Sequence, residues 1–318
     1  MSRHQEAIQA NLRELNAQQA EVYDNRASTK ALSILFGKML LEYNGLEQRK
    51  SAKQTAEALG DAEQEANGWS VSSFFPARVS YHERFAHSPF KPGNRIMDFA
   101  CGTGVVSELI APYLVAEGVS DSRSELVGVD VNPHFLQKFD ARARALNDRY
   151  KDWLTVRSYL YDVLDPSLSA EIDHNLLASF DAIYCTISYH HIDNYRDVTK
   201  KLATFLKPGG WLYIVDFYNE DVENTDRPAA NTAVRHMGGL RVDSLNSTLR
   251  DHAGLSDVSS AREAKVNIWQ QRKFIENHCT ADTVAKLYSG ALPKKHSEVE
   301  GELYLVQASL ILASGRRA

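Results

Sequence analysis

Residues Asp98–Gly104, with the sequence DFACGTG, join a short apolar run to an amphipathic one. The preceding run, Arg95–Ala100, has the length and composition of a buried strand. The following run places Val106, Ile110 and Leu114 on one face of a predicted helix. Glycines at a strand-to-helix turn let the backbone approach a ligand that a Cβ atom would exclude. We therefore predict a strand–turn–helix unit with a ligand site at its turn.

The same alternation of short apolar runs and amphipathic helices continues along the chain. Helices are predicted from the cap Asn132-Pro133 and over residues 193–206. Alternation with short connections predicts an α/β fold with a parallel, doubly wound, Rossmann-like sheet. The predicted strands after the first are residues 126–130, 154–161, 180–186, 211–216, 264–269 and 303–313.

The N-terminal part of the chain has a different pattern. Residues 5–22 predict one amphipathic helix. A second helix is predicted over Thr29–Tyr43, with Ser28 or Thr29 as its cap. Residues 46–70 are polar and charged, and we expect them to form a mobile surface segment.

Together these patterns divide the chain into two parts. Residues 1–92 are predicted to be a helical extension that leans on the rest of the chain as a lid. Residues 93–318 are predicted to be the main domain. Helical insertions into this domain are expected near residues 217–255 and 270–300.

Composition restricts the expected partners and compartment. The formal net charge is −5 and the pI is about 6.1, so we expect no nucleic-acid partner. The three cysteines include no CxxC pair, which argues against a disulfide framework and a metal site. The N-terminus is polar, and no apolar stretch approaches the roughly 20 residues of a membrane span. We therefore expect a cytoplasmic protein without a membrane span.

Three acidic residues lie at the ends of the first three predicted strands. A carboxylate at Asp98 would repel a pyrophosphate but can hold the amino group of a methionyl moiety. Asp130 can accept hydrogen bonds from two ribose hydroxyls, and Asp162 can accept one from the amine of adenine. Each of them alone is equally consistent with a solvated loop or a helix cap. The third glycine of a dinucleotide motif is missing after Gly104, which makes an NAD-dependent oxidoreductase the least favoured reading.

With the turn Leu206–Gly210 before the fifth strand, these features make residues 94–217 resemble the class I S-adenosylmethionine-dependent methyltransferases. The resemblance implies a seven-stranded sheet whose last strand is antiparallel and lies between the fifth and sixth. It also implies S-adenosylmethionine as the cofactor. Its expected binding residues are Asp98, Ala100, Cys101, Gly102, Gly104, Asp130, Val131, Asp162, Val163 and Thr186.

Two short segments carry a narrower resemblance, to the ubiquinone/menaquinone-biosynthesis type of small-molecule methyltransferase. One is residues 18–24, QQAEVYD, in which Tyr23 is expected to close over the cofactor. The other is residues 234–240, VRHMGGL, which is expected to cover the pocket. The chain departs from that group in residues 46–92 and 270–300, which leaves the substrate open.

Two histidines are candidates for a catalytic base near neutral pH. His236 is the leading candidate because it lies in the segment expected to cover the pocket, although it can equally fix a glycine-rich turn. His191 follows the fourth strand, in the segment Cys185–Ile192, where packing and hydrogen bonding are the alternative role. A base is needed only for a phenol, a thiol or a protonated amine, since the methyl donor is already activated.

The function predicted from these features is methyl transfer to a small molecule with an oxygen, carbon, nitrogen or sulfur nucleophile. The Asn/Asp-Pro-Pro-Tyr motif and the Pro-Cys nucleophile of nucleic-acid methyltransferases are absent. A protein methyltransferase is the nearest alternative. A cofactor-binding regulatory subunit that acts through a protein partner is another. The helical extensions are expected to provide any contact with a partner or a second copy of the chain.

Overall fold

The computed structural model describes residues 2–43, 78–115, 123–218, 233–236 and 239–318, and it contains one mixed sheet. The strand order is β3-β2-β1-β4-β5-β8-β6, and β7 pairs with β8. Strands β1 to β5 are parallel, whereas β8 is antiparallel to both β5 and β6. The strands are β1 Arg95–Phe99, β2 Ser124–Asp130, β3 Leu154–Leu160, β4 Phe180–Thr186, β5 Leu206–Phe217, β6 Ser256–Gln270, β7 Lys294–Ser297 and β8 Gly301–Arg316.

Helices precede the sheet, connect its parallel strands and complete its C-terminal part. No described helix combines the length and the apolar composition that a membrane span requires. The helices are α1 Arg3–Glu14, α2 Ala17–Tyr23, α3 Ala27–Glu42, α4 Arg78–Arg84, α5 Val105–Ile110, α6 Pro133–Arg149, α7 Ser169–Leu176, α8 Tyr195–Phe205, α9 Val242–Ser247, α10 Arg272–His278 and α11 Ala281–Tyr288.

Apolar clusters lie on both faces of the sheet because successive residues of a strand point to opposite sides. In β1, Ile96 belongs to a cluster with Leu35 of α3 and Phe139 of α6. Its neighbour Met97 belongs to a second cluster that includes Leu202 of α8. Each face is therefore covered by helices, as a doubly wound fold requires.

The sheet topology confirms the predicted fold class. Strand β8 lies between β5 and β6, which is the position expected for the final antiparallel strand. The additional strand β7 makes the sheet eight-stranded. It lies inside the predicted helical insertion 270–300, so that insertion is helical only in α10 and α11.

The structure corrects two predicted boundaries at the N-terminus. The single helix predicted over 5–22 is two helices, because the chain leaves helical geometry at Leu15 and Asn16 caps α2 through Gln19 N. Helix α3 begins at Ala27 after Arg26, which makes no side-chain cap, so neither Ser28 nor Thr29 caps it. The predicted surface segment 46–70 lies outside the described residues.

Strand β2 begins two residues earlier than predicted, and β5, β6 and β8 extend well beyond their predicted bounds. The fifth strand starts at Leu206 and not at residue 211, because Leu206 already pairs with Phe180 of β4. Strands β6 and β8 also extend beyond 264–269 and 303–313, since each pairs with the other over most of its length. Pairing with a distant strand can hold polar residues in extended geometry. Such residues are missed when strands are predicted from apolar runs alone.

Gly128 in β2 gives a test of packing between the sheet and α6. A Cβ atom at this position would lie 2.5 Å from Cζ of Phe139 and 2.9 Å from Sγ of Cys101. We expect Gly128→Ala to lower the free energy of unfolding by about 1–3 kcal/mol, the usual cost of overpacking. Denaturant titration measures this change. In the Gly128→Ala background, Phe139→Leu should recover part of the lost free energy of unfolding. If the effects of the two substitutions on that free energy are simply additive, the packing argument is contradicted.

Candidate active site

A cavity of about 350 Å³ lies at the carboxyl ends of the parallel strands. Its volume falls in the range of roughly 300–1,000 Å³ that is usual for small-molecule sites. Strand ends and the turns after them supply Ala100, Asp130, Asp162 and Thr186 to its wall. Parallel strands place such residues together because their carboxyl ends share one edge of the sheet.

The glycine turn after β1 is held in a conformation that ordinary residues avoid. Gly102 and Gly104 have φ of 56° and 82°, and Ala100 has φ of 55°. A Cβ atom at Gly104 would lie 2.6 Å from Cδ2 of Phe139. The turn therefore depends on glycine both for its backbone angles and for its contact with α6.

Asp130 connects this turn to the turn after β2. Its Oδ2 accepts a hydrogen bond from the Gly102 amide and its Oδ1 accepts one from the Asn132 amide, each at 2.8 Å. Burial raises the pKa of Asp130, while the backbone hydrogen bonds oppose that shift. A carboxylate oxygen can accept more than one hydrogen bond, so ribose hydroxyls remain compatible with this arrangement.

Asp98 lies deeper than the other two acidic residues. It is 2% exposed, its Oδ2 accepts a hydrogen bond from Ser107 Oγ at 2.7 Å, and it is not among the residues that line the cavity. Burial raises the pKa of Asp98 to about 7, against the hydrogen bonds from Ser107 and Tyr184. Its predicted contact with an amino group therefore requires either a water molecule or a small adjustment of the turn.

Asp162 already has a partner from the N-terminal helix. Nε2 of His4 lies 3.0 Å and 3.1 Å from the two carboxylate oxygens, and the Leu164 amide donates at 3.0 Å. The hydrogen bond with Asp162 raises the pKa of His4. Burial acts to raise the pKa of Asp162, but the bond from His4 lowers it overall. His4 thus occupies the side of the cavity where an adenine amine is expected.

Helix α2 docks against the glycine turn through its C-terminal end. Tyr23 lines the cavity and packs edge-to-face with Phe135, with the ring centroids 5.0 Å apart. The next residue, Asp24, accepts a hydrogen bond from Thr103 and pairs with Arg142 of α6 at 3.1 Å. These contacts hold Tyr23 beside the turn, which fits its predicted role over the cofactor.

His190 and Asp216 form a buried pair at the adjoining ends of β4 and β5. Thr186 pairs with Val215, so residues that follow β4 face the end of β5. Nδ1 of His190 lies 2.7 Å from Oδ1 of Asp216, and the two side chains are 3% and 0% exposed. His190 lines the cavity, whereas Asp216 lies behind it.

Aromatic side chains surround His190. The ring of His191 lies 4.0 Å and that of His278 lies 5.4 Å from the His190 ring, measured between centroids. Phe217 and Phe274 pack against each other with centroids 5.2 Å apart and also line the cavity. Burial, with a smaller contribution from His190, lowers the pKa of His191 to about 3. Burial likewise lowers the pKa of His278.

The two predicted catalytic histidines have different positions. His191 lines the cavity, and its Nδ1 lies 2.9 Å from the carbonyl oxygen of Ala233. His236 does not line the cavity. Its Nε2 lies 3.0 Å from the carbonyl oxygen of Ile192, and burial lowers its pKa. The role of each remains a prediction, although His236 would need a movement of its segment to contact a ligand.

The structure brings most of the predicted cofactor residues to one cavity wall. Asp98 and Gly104 are the two that do not line it. Sequence reasoning missed His4 and the importance of Asp216. Asp216 had a readable signal, because a carboxylate at the end of β5 faces residues after β4 whenever those strands are neighbours. The pairing of His4 with Asp162 spans 158 positions and has no such signal. The predicted cofactor residues are Tyr23, Asp98, Ala100, Cys101, Gly102, Gly104, Asp130, Val131, Asp162, Val163 and Thr186.

Comparison with protein families agrees with this geometry. Residues 97–212 match a family described as methyltransferase domain, and this match includes the glycine turn and Asp130. This match, together with the geometry of the cavity, supports a methyltransferase domain with S-adenosylmethionine as its cofactor. Within the described residues, no group of three or more His, Cys, Asp or Glu side chains is arranged to hold a metal ion.

Relatives in sequence are also methyltransferases. An uncharacterized methyltransferase of Schizosaccharomyces pombe is 28% identical over 68% of this chain and 72% of its own length. A ubiquinone biosynthesis O-methyltransferase of Burkholderia pseudomallei is 24% identical over 43% of this chain and 49% of its own length. A demethylmenaquinone methyltransferase of Symbiobacterium thermophilum is 27% identical over 41% and 45%. The chain thus spans about half the length of the two quinone methyltransferases.

Solved structures give a more distant similarity. Phosphoethanolamine N-methyltransferase 2 of Haemonchus contortus aligns over 93% of this chain and 59% of its own, at 13% identity and a TM-score of 0.42. A SAM-dependent methyltransferase of Aquifex aeolicus aligns over 72% and 85%, at 13% identity and a TM-score of 0.40. Because both TM-scores lie below 0.5, these similarities add no support to a particular substrate.

Asp130 provides the test of the cofactor site. We expect Asp130→Ala to weaken binding of S-adenosylmethionine by about 1.5–4 kcal/mol, because charge-assisted hydrogen bonds to ribose are lost. Calorimetry measures the affinity, and thermal unfolding checks that the variant folds. Asp165→Ala is the control, since Asp165 only caps Ser167 in an exposed turn. Equal affinity of Asp130→Ala and wild type would show that the ribose site is elsewhere.

Proposed function

We propose that this chain transfers a methyl group from S-adenosylmethionine to a small organic molecule that binds in the same cavity. The enclosure of the cavity carries this proposal. Helices α1, α2 and α3 supply lining residues on one side, and α10 supplies Phe274 and His278 on another. Such a site suits a compact acceptor more than a segment of polypeptide or RNA.

The residues after β1, β2 and β3 fit the cofactor. The glycine turn allows close approach of the backbone, and Asp130 offers acceptor capacity to a ribose. Asp162 offers the same to an adenine amine once His4 shares or yields its carboxylate. When bound, the cofactor supplies a methyl group on a sulfonium, which already has a good leaving group. The protein must then align the acceptor and exclude water.

The remaining wall of the cavity is mainly apolar. Leu32 and Phe36 of α3 are buried, and Phe217 and Phe274 add aromatic faces. Of the lining residues that the structure describes, Arg26 alone is a Lys or Arg, and its guanidinium packs over Tyr23 at 5.5 Å from the ring centroid. An apolar acceptor without a phosphate or carboxylate therefore suits this wall best.

The quinone methyltransferases among the relatives support a small-molecule acceptor. Their matched region is about half of their length and does not identify a substrate for this chain. A protein methyltransferase remains the alternative, and it would require a side chain of the target to enter the cavity beneath α1. A labelling experiment distinguishes a small-molecule acceptor from a protein side chain.

The decisive experiment incubates the purified chain with methyl-labelled S-adenosylmethionine and a fractionated extract of small molecules. Label in an organic-soluble metabolite is the expected result. A parallel reaction uses protein from the same extract. Label found only in protein would reject the small-molecule proposal and favour the alternative. Asp130→Ala serves as the control without a cofactor site.

Phe274 tests the position of the acceptor. We expect Phe274→Ala to raise the KM of the identified acceptor about tenfold or more, because an aromatic contact of roughly 1.5–3 kcal/mol is lost. The Kd of S-adenosylmethionine should stay unchanged. Steady-state kinetics and calorimetry separate the two effects. Tyr288→Ala, at a side chain that is 63% exposed, is the matched aromatic control. A changed Kd of S-adenosylmethionine with an unchanged KM of the acceptor would show that Phe274 contacts the cofactor and not the acceptor.

A further inference from the structure

Asp216 determines which ring nitrogen of His190 carries a proton. Besides Nδ1 of His190, the Asp216 carboxylate accepts the backbone amides of His190 at 3.1 Å and of Phe217 at 2.6 Å. Burial acts to raise the pKa of Asp216, but its interactions with His190 and the hydrogen bonds from the two backbone amides lower it overall. An ionised carboxylate only accepts, so Nδ1 of His190 is the donor.

A neutral His190 with its proton on Nδ1 has its lone pair on Nε2. His190 lines the cavity, and Nδ1 is committed to Asp216. Nε2 is therefore the ring nitrogen that is available to a ligand. In a general base of this kind, a carboxylate binds one ring nitrogen of the histidine and so orients the ring. The other ring nitrogen then faces the group that loses its proton.

The other histidines near the cavity are less suited to accept a proton. Burial keeps His191 and His278 neutral, since it lowers the pKa of each. His236 lies outside the lining and contacts the Ile192 carbonyl. His190 has the carboxylate of Asp216 as a hydrogen-bonded partner that can stabilise an imidazolium.

We propose that His190 is the general base of the methyl transfer and that Asp216 is its positioning residue. This inference rests on the proposed function. The bond between the acceptor atom and its proton breaks, and the proton moves to Nε2 of His190. The electron pair left on the acceptor forms the bond to the methyl carbon. The bond between methyl and sulfur breaks, and its electron pair stays on sulfur. The proton then leaves His190 to solvent with the product.

This role defines the class of acceptor. A base contributes only when the acceptor atom must lose a proton, as in a phenol, an enol or a thiol. A tertiary amine or a thioether needs no such group. The acceptor of this chain is therefore an apolar molecule with an acidic hydroxyl or thiol, bound with that group toward Nε2 of His190.

The protonation state of His190 can be measured without turnover. The titratable groups around it are Asp216, His191, His278 and His236. We expect nitrogen NMR of the ¹⁵N-histidine-labelled wild type to show a His190 ring with its proton on Nδ1 and none on Nε2. His190→Gln assigns the signals, or His190→Asn if the first variant does not fold. A neutral ring with its proton on Nε2 would overturn the proposal.

Kinetics provide the second measurement, on the acceptor identified by the labelling experiment. The pH profile of the wild-type rate should have an acidic limb, because a base that already carries a proton cannot accept another. His190→Gln should lower single-turnover rates by about 10²–10⁴-fold and abolish this pH dependence, while the Kd of S-adenosylmethionine is retained. Asp216→Asn should shift the acidic limb of the profile. His252→Gln is the matched control, because His252 pairs with Asp197 on the surface.

The outcomes separate this inference from the proposed function. If no small molecule accepts the label but NMR shows the expected tautomer, the function fails and the pair stands as described. If a small molecule is methylated at the same rate by His190→Gln, the base assignment fails while the function stands. An acceptor atom without a proton, such as a thioether sulfur, would also overturn the base assignment.

Discussion

The carboxylate of Asp130 accepts amide hydrogen bonds from two turns that belong to different strand–helix units. One is the glycine turn after β1, and the other is the cap of α6. The cap residue Asn132 in turn donates its side-chain amide to the Leu15 carbonyl at 2.7 Å. A single half-buried carboxylate thus links β1, β2, α6 and the N-terminal helices. This position is tolerated because backbone donors replace part of the water that the carboxylate loses.

The parallel register converts this local linkage into a site. The ends of β1, β2 and β3 present Ala100, Asp130 and Asp162 toward one cavity, while those of β4 and β5 bring His190 to Asp216. Both sets of residues come together because the carboxyl ends of parallel strands share one edge of the sheet, although they line different parts of the cavity. The fold therefore places the wall proposed to bind the nucleoside beside the wall proposed to accept a proton.

Much of this arrangement is readable in the sequence because it is local. The motif DFACGTG, the acidic residue at the end of β2 and the apolar runs each report on neighbouring residues. The lengths of β6 and β8 were underestimated because their polar ends are stabilised by pairing with each other. The pair His4–Asp162 depends on tertiary position, and periodicity carries no information about it.

One side of helix α1 forms part of the cavity wall. His4, Ile8 and Asn11 recur at helical spacing in α1 and line the cavity, and Leu15 just after the helix lines it too. This side of the helix therefore faces the cavity and not a packed core. Polar contacts hold its ends, including His4 with Asp162 and Glu14 with Lys273. A ligand that fills the space adds contacts to α1, as it does to α2, α3 and α10. Occupancy of the cavity therefore stabilises α1 against local opening, and amide hydrogen exchange along this helix reports on occupancy.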